Sequence, residues 1–463
     1  MDHIISFIKK KIGNSKDYIF KEMSIKNNKI TIVFSEVLVN GTGLNDFVLR
    51  KLTELKSINN LVNVLPENNI KVIKKEEIFN YLNNGFVICV TKKEIIAIEI
   101  RQVLERGITT IESEITLNGP KDSFSENFNT NLGLIRRRIK SENLWWSELN
   151  IGKETSTKIG ILYMNNIVDA ATLDEVKKKL QNINIDGIID TSYLKDRLED
   201  NNDSFFPTIM STERPDKVSM ALLEGKIAII VDTSSYVLIL PNFFIDFFHT
   251  VDDYYQKGIN TTFTRIIRLF SFIMAIFIPA FYIAITTYNQ DSIPLSLLLL
   301  LKSQRRSVPF PSIIESLFMI ISFEILKESD IRNKSGAISI LGGLILGDAA
   351  VAAGIISPIM IIVIALSSIA GFVFPSNEMN NAIKIYRIIF ILLSFLLGIY
   401  GMYIGLIYIL YKLIALKSLN KPFLAPISPF IKEEVKDSFI KTKNIGEKLR
   451  NKLLTNNIKR GKY

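Results

Sequence analysis

Residues 309–332 read PFPSIIESLFMIISFEILKESDIR, apolar enough for a lipid environment yet carrying Glu315, Glu324 and Glu328. A fourth carboxylate, Asp348, is the lone charge in the forty residues GAISILGGLILGDAAVAAGIISPIMIIVIALSSIAGFVFP that begin at Gly336. Because a lipid-facing carboxylate is costly, at least one of them has to face protein or water. Glu324 and Glu328 stand four residues apart and share a helical face, while Glu315, nine residues before Glu324, emerges on the opposite one. Arg332 one turn beyond Glu328, and Lys327 close to Glu324, would account for both as members of an amphipathic interfacial helix. Glu315 is the only charge between Ser307 and Phe323. Pro309 and Pro311 place a helix start just upstream, so Glu315 falls in early turns where the helix dipole favours an anion. Two readings stay open for it: a structural cap, or an ion ligand.

The rest of the chain offers little other chemistry. Only His3, His249 and a single cysteine, Cys89 within FVICV, are present, so neither a metal centre, nor a histidine triad, nor an intrachain disulfide is expected. Cys89 reads as a buried strand residue. NGTG at 40–43 lacks the Lys-Ser/Thr or third glycine of a phosphate cradle and reads as a turn. NLGLIRRRIK at 131–140 reads as a basic helix with a solvated or inter-subunit face, an anionic-lipid contact being the alternative. No catalytic residue has a partner, so the chain reads as a non-enzyme without cofactor.

The elements that must position the carboxylates follow from the distribution of apolar residues. The chain has 463 residues, 48% of them hydrophobic, and the apolar ones crowd into its second half. Uncharged runs cover Leu269 to Tyr288, Ala349 to Asn377 and Ile388 to Tyr411, each long enough for a span of about 20 residues. MDHIISFIKKKIG shows only a short apolar patch followed by lysines and does not read as a cleavable signal peptide, so the first half is expected on the cytoplasmic side. Arg265 and Arg268 precede the first run, Lys302, Arg305 and Arg306 sit in a loop, and residues 431–463 hold ten Lys/Arg against four Asp/Glu. The positive-inside bias then places both termini in the cytoplasm, with an even number of crossings and four to six segments. The net charge of +10 is accordingly a topology signal, and no nucleic-acid partner is expected. Gly343 and Gly347, extended by Ala350 and Gly354, form a small-residue face, and Gly401 and Gly405 repeat the device. Such faces let helices approach closely, within one chain or between chains. Gly354 and Pro358 together point to a break between two helices.

The first half reads as a duplication. KITIVFSEVLVN (29–40) followed by LNDFVLRKLTEL resembles KIGILYMNNIVD (158–169) followed by LDEVKKKLQNI, and YLNNGFVICVTKKEIIAIEI (81–100) matches ALLEGKIAIIVDTSSYVLILP (221–241). Gly85 and Gly225 occupy equivalent helix-to-strand corners where a left-handed backbone is tolerated. The expected architecture is two similar small α/β units forming a soluble N-terminal half, followed by an α-helical polytopic membrane domain. In residues it runs as a first unit 1–118, a basic helical connector 119–156, a second unit 157–250, a transmembrane domain 251–417 and a basic cytoplasmic tail 418–463.

With the motifs in view, the block from Pro309 to Arg332 and the glycine-rich block after it closely resemble the A subunit of GerA-type spore germination receptors, the nutrient sensors of Bacillus and Clostridium endospores. GPKDSFSENFNTNLGLIRRRIK (119–140) is similar to that family's N-terminal segment. The resemblance covers roughly residues 110–430. It implies a complex in the spore inner membrane with a permease-like B subunit, to which nutrient binding is attributed, and a lipoprotein C subunit. It further implies an A subunit that forms a homo-oligomer among membrane lipids and releases cations as a channel. Glu315, Glu324, Glu328 and Asp348 are then candidate ion-path or gating groups, and Gly343, Gly347, Gly354, Gly401 and Gly405 candidate helix-packing positions. The alternatives are an accessory A-type spore membrane protein that amplifies germination without a nutrient-binding partner, a transporter, or a scaffold. A transporter would need helix breaks in both membrane halves, and only the set near Gly354 and Pro358 is visible.

Overall fold

The computed structural model describes residues 1–13, 15–25, 28–54, 70–102, 114–201, 203–333, 343, 347–441, 450–455, 457 and 459. Helix α1 (Asp2–Ile12) leads into the hairpin of β1 (Tyr18–Ile25) and β2 (Asn28–Ser35), with Tyr18 opposite Ser35. Helical turns Gly41–Gly43, Leu44–Leu49 and Arg50–Glu54 run on continuously, the middle one π-helical. NGTG opens this stretch, with Asn40 Oδ1 accepting from the Gly43 amide at 3.0 Å. Strand β3 (Ile70–Ile73), helix α2 (Ile78–Leu82) and strands β4 (Phe86–Val90) and β5 (Ile95–Glu99) complete an antiparallel sheet of order β1-β2-β4-β5-β3.

The period-two alternation of side chains divides this sheet's apolar residues between two faces. Ile30, Ile32, Val87, Cys89, Ile96 and Ile98 pack on one face, and Val33, Phe86, Ile88, Val90 and Ala97 pack with Ile8 and Ile12 of α1 on the other. Cys89 is accordingly buried in a central strand.

The second unit repeats the scheme with helix α3 (Phe128–Arg138), strands β6 (Leu144–Ile151) and β7 (Thr157–Met164), helix α4 (Ala170–Gln181), strand β8 (Met210–Thr212), helix α5 (Pro215–Leu223) and strands β9 (Ile227–Val231) and β10 (Val237–Leu240). Its order, β6-β7-β9-β10-β8, is that of the first sheet element for element. Gly85 and Gly225 have φ of 81° and 97°, the left-handed corners expected of them. Strand β6 lies inside the stretch 119–156 read from sequence as a connector; eight residue pairs with β7 assign it to the second sheet instead.

The basic helix α3 is a further correction. The first of its three arginines is not solvated: Arg136 is 1% exposed, with Nε 2.9 Å from Asp17 Oδ2 of the first unit, while Arg137 is exposed. Arg138 pairs with Asp122 at 2.5 Å. The helix thus joins the two units.

The second half is helical: α6 (Gly258–Thr287), α7 (Leu295–Arg305), α8 (Ser312–Asn333), α9 (Pro358–Phe372), α10 (Asn377–Leu397) and α11 (Ile399–Ala415), with helix α12 (Lys432–Phe439) in the tail. Two of these, α6 and α10, are long and apolar enough to cross a membrane, and α9 and α11 are shorter apolar helices. α8 begins just after Pro311, and α9 takes Pro358 as its first residue after the left-handed Gly354, at φ 65°, both as the prolines suggest. The run Ile388 to Tyr411, read as one span, is instead a hairpin: α10 ends at Leu397, Gly398 turns the chain with φ 61°, and α11 starts at Ile399. An uncharged run does not reveal a reversal that costs a single glycine.

The two halves share one core. Phe206 stacks on Tyr386 of α10 with centroids 4.8 Å apart, Phe244 meets Phe272 of α6 edge-on at 5.6 Å, and Phe248 meets Phe374 at 5.5 Å. The start of the tail is built into the same core, with Phe423 6.0 Å from Phe244.

Candidate functional site

The structure gives Glu315 and Glu324 different surroundings. Glu315, 1% exposed, lies near the start of α8, one turn after a proline-delimited start. Its Oε2 accepts from the backbone amide and the hydroxyl of Ser357, both at 2.9 Å. Ser357 is the residue preceding α9, so Glu315 caps a neighbouring helix rather than its own. Its other oxygen lies 3.5 Å from Arg305 Nη2, at the end of α7, and accepts no hydrogen bond among the described residues. One buried carboxylate therefore ties α7, α8 and the start of α9 together. Removing its cation would leave this buried charge uncompensated, which is costly.

Glu324 is half-buried and pairs across helices with Lys384 of α10 at 2.6 Å. Lys327, its expected neighbour, lies over the ring of Phe372 at 4.9 Å instead. Arg387, one turn beyond Lys384, is 3% exposed, and its Nε has no hydrogen bond among the described residues. Glu328 is exposed, and the expected Glu328–Arg332 pair lies outside the described residues because the Arg332 side chain does. Asp348 is exposed. Glu315 and Glu324 thus face different cations, Arg305 and Lys384. Arg305, Ser357, Lys384 and Arg387 emerge only from the structure, and the one sequence signal was the basic group Lys302, Arg305 and Arg306, which is not a loop but the last turn and C-cap of α7.

Of the glycines, Gly401 and Gly405 pack within the hairpin. A Cβ on Gly401 would overlap the Leu393 carbonyl of α10, and one on Gly405 would come within 2.9 Å of the Phe390 ring. Gly347 is looser, with Ile361 of α9 at 3.9 Å from its would-be Cβ, and Gly343 has Phe323 at 3.7 Å. Gly354 faces the Ser307 carbonyl at 3.3 Å.

A second polar cluster joins the sheets to α6. Asp253, 2% exposed, receives Arg268 Nη1 at 3.0 and 2.9 Å and Arg265 Nε at 3.2 Å. Burial alone would raise that carboxyl, but the Arg268 hydrogen bonds and the charges of Arg268 and Arg265 outweigh it and hold it below the usual carboxylate range. His249 lies beside it, its Nε2 2.9 Å from the Ser438 carbonyl of α12. Packing around the ring, and then the Arg265 charge, push His249 down to about 4. An unfolded histidine protonates near pH 6.5, so between there and pH 4 the unfolded chain binds the extra proton and stability falls with pH. Lowering pH from 7 to 5 is expected to destabilise this junction by roughly 1–2 kcal/mol, discounting for partial exposure of the ring. His249→Gln should remove most of that slope in thermal melts of the full chain, and an unchanged slope would refute the assignment.

Residues 6–453 match the family model described as Bacillus/Clostridium GerA spore germination protein. The chain is 36% identical over 453 residues to "Spore germination protein KA" of Bacillus subtilis (strain 168), covering 94% of this chain and 83% of that protein. It is 35% identical over 439 residues to "Spore germination protein GerQA" of Bacillus cereus, covering 93% and 88%. A crystal structure of the N-terminal domain of the A subunit of the Bacillus megaterium spore germinant receptor GerK3 aligns at 28% identity and TM-score 0.40, over 52% of this chain and 94% of that one.

Proposed function

The chain belongs to the Bacillus/Clostridium GerA spore germination protein family, the family of germination-receptor A subunits, and on that premise we propose that it is the membrane subunit that turns nutrient sensing into cation release at the start of germination. Its setting is the spore inner membrane, crossed an even number of times between four and six, with both termini on the cytoplasmic side. Its partners are a permease-like B subunit and a lipoprotein C subunit, and several copies assemble around the conducting path. The residue divisions proposed from sequence serve as its working parts, the second sheet unit beginning with α3.

The observation that carries this reading is Glu315: a carboxylate buried in the helical half, tied to three helices and facing one cation at 3.5 Å. Charge at that depth is costly and has its commonest use in ion pathways and gates. The aromatic core supports a transducing role, because a shift of the second sheet would move α6 and α10 with it. Large exposed apolar residues on α11, among them Tyr400, Tyr403, Ile407 and Tyr411, support contact with lipid or further subunits.

The test is Glu315→Gln in spores whose only copy is the variant. The amide keeps the shape and can still accept from Ser357, but it loses the charge that faces Arg305. Charged hydrogen bonds contribute about 1.5–3 kcal/mol, so cation release after nutrient addition should slow roughly ten- to a hundredfold at normal protein level. Glu324→Gln removes a half-exposed pair worth about 0–1 kcal/mol and should change release far less. Normal release by the Glu315 variant would leave that residue a structural clamp only.

A further inference from the structure

We infer that the end of the helical half remote from the sheets carries a binding site for the phosphodiester headgroup of an anionic phospholipid. From the proposed function this takes only that the helical half lies in a membrane. A pocket of about 330 Å³ opens between the last turn of α6 and helix α7, lined by Thr286, Gln290, Leu298, Lys302, Arg305 and Arg306 among others. That volume lies at the lower end of small-ligand pockets, about 300–1,000 Å³.

Three cations converge on it because positions 302, 305 and 306 share a face of α7. Arg305 is anchored from behind by Glu315 at 3.5 Å. The side chains of Lys302 and Arg306 are exposed and make no ion pair or hydrogen bond among the described residues. Lys302 and Arg306 therefore offer donors that no ion pair or hydrogen bond among the described residues takes up, and guanidinium forks match phosphate oxygens in geometry.

Depth and surroundings point to a lipid rather than a soluble anion. Thr286 lies 21 residues beyond Arg265 on α6, about 32 Å at 1.5 Å per residue. That is close to the hydrocarbon thickness of a bilayer, about 30 Å, so the pocket sits at headgroup level on the far side. The same helix α7 exposes Leu295, Leu297, Leu299 and Leu300, a surface for acyl chains that free phosphate would not use.

The test uses the full chain in vesicles of phosphatidylcholine with a minor fraction of phosphatidylglycerol carrying a photoactivatable acyl chain. Crosslinks are expected within residues 286–306, and Lys302→Gln with Arg306→Gln should reduce them about tenfold. The same pair of changes at Lys177 and Lys178 on α4 should not. Crosslinking that is unaffected by the Lys302/Arg306 variant overturns the site. Displacement by inorganic phosphate as effective as by excess phosphatidylglycerol overturns its assignment to lipid. Retention of the chain in vesicles after alkaline carbonate is measured in parallel, so that failure to insert is read as failure of the membrane premise and not of the site.

Discussion

Asp17→Ala in the full chain is expected to lower stability by about 3–5 kcal/mol, the cost of leaving a buried charge without its partner. Arg136 is buried between the two sheet units, and Asp17 is its ion-pair partner, with contacts of 2.9 Å to Nε and Nη2. Asp17 also accepts from Ser15 Oγ at 2.7 Å and Trp146 Nε1 at 3.2 Å, so one carboxylate organises donors from both units. Burial works against the guanidinium's charge, and Asp17 outweighs it, holding the Arg136 pKa above its ordinary value. Thermal melting with hydrogen exchange at β1 and α3 reads the loss. Arg136→Met added to Asp17→Ala should recover part of it, because a buried pair replaced on both sides by apolar groups is often tolerated. A double variant no better than the single one would mean that the hydrogen-bond network, rather than the uncompensated charge, sets the cost.

The second large effect is expected from one methyl group. Gly401→Ala would drive a Cβ into the Leu393 carbonyl, and backbone cannot swing aside as a side chain can. Overpacking typically costs about 1–3 kcal/mol, and a backbone obstacle places this site at or above the top of that range. The hairpin of α10 and α11 should open, and the protein level in the membrane fraction should fall severalfold. Gly347→Ala makes a sharp contrast: its Cβ would meet Ile361 at an ordinary 3.9 Å, and a helical glycine replaced by alanine gains about 0.5–1 kcal/mol. Equal levels and equal melting of the two variants would remove the argument that Gly401 is a contact point between helix backbones.

Much of the candidate site was legible as residue types and little of it as geometry. Glu315 stood out because no local cation explains it, whereas Glu324 was assigned Lys327 and takes Lys384, sixty residues away in sequence. Helical spacing ranks partners only within one helix. Arg136 illustrates the same limit from the other side: a run of three arginines looks solvated until a buried aspartate 119 residues earlier is brought against it.

By itself the sequence determined the duplicated α/β units, the helical second half, the strand burial of Cys89 and the breaks at Gly354 and Pro358, together with membership of the germination family. These rest on periodicity, backbone freedom and long ordered motifs, all properties of contiguous residues. Only the tertiary structure decided that Glu315 caps the neighbouring α9, that Ile388 to Tyr411 folds back at Gly398, that α3 is a buried joint and that Glu315 and Glu324 face different cations. Each of those depends on which helix lies beside which. Apolar helices offer many near-equivalent faces, so the choice is made by a few close backbone contacts and buried charges between residues distant in the chain.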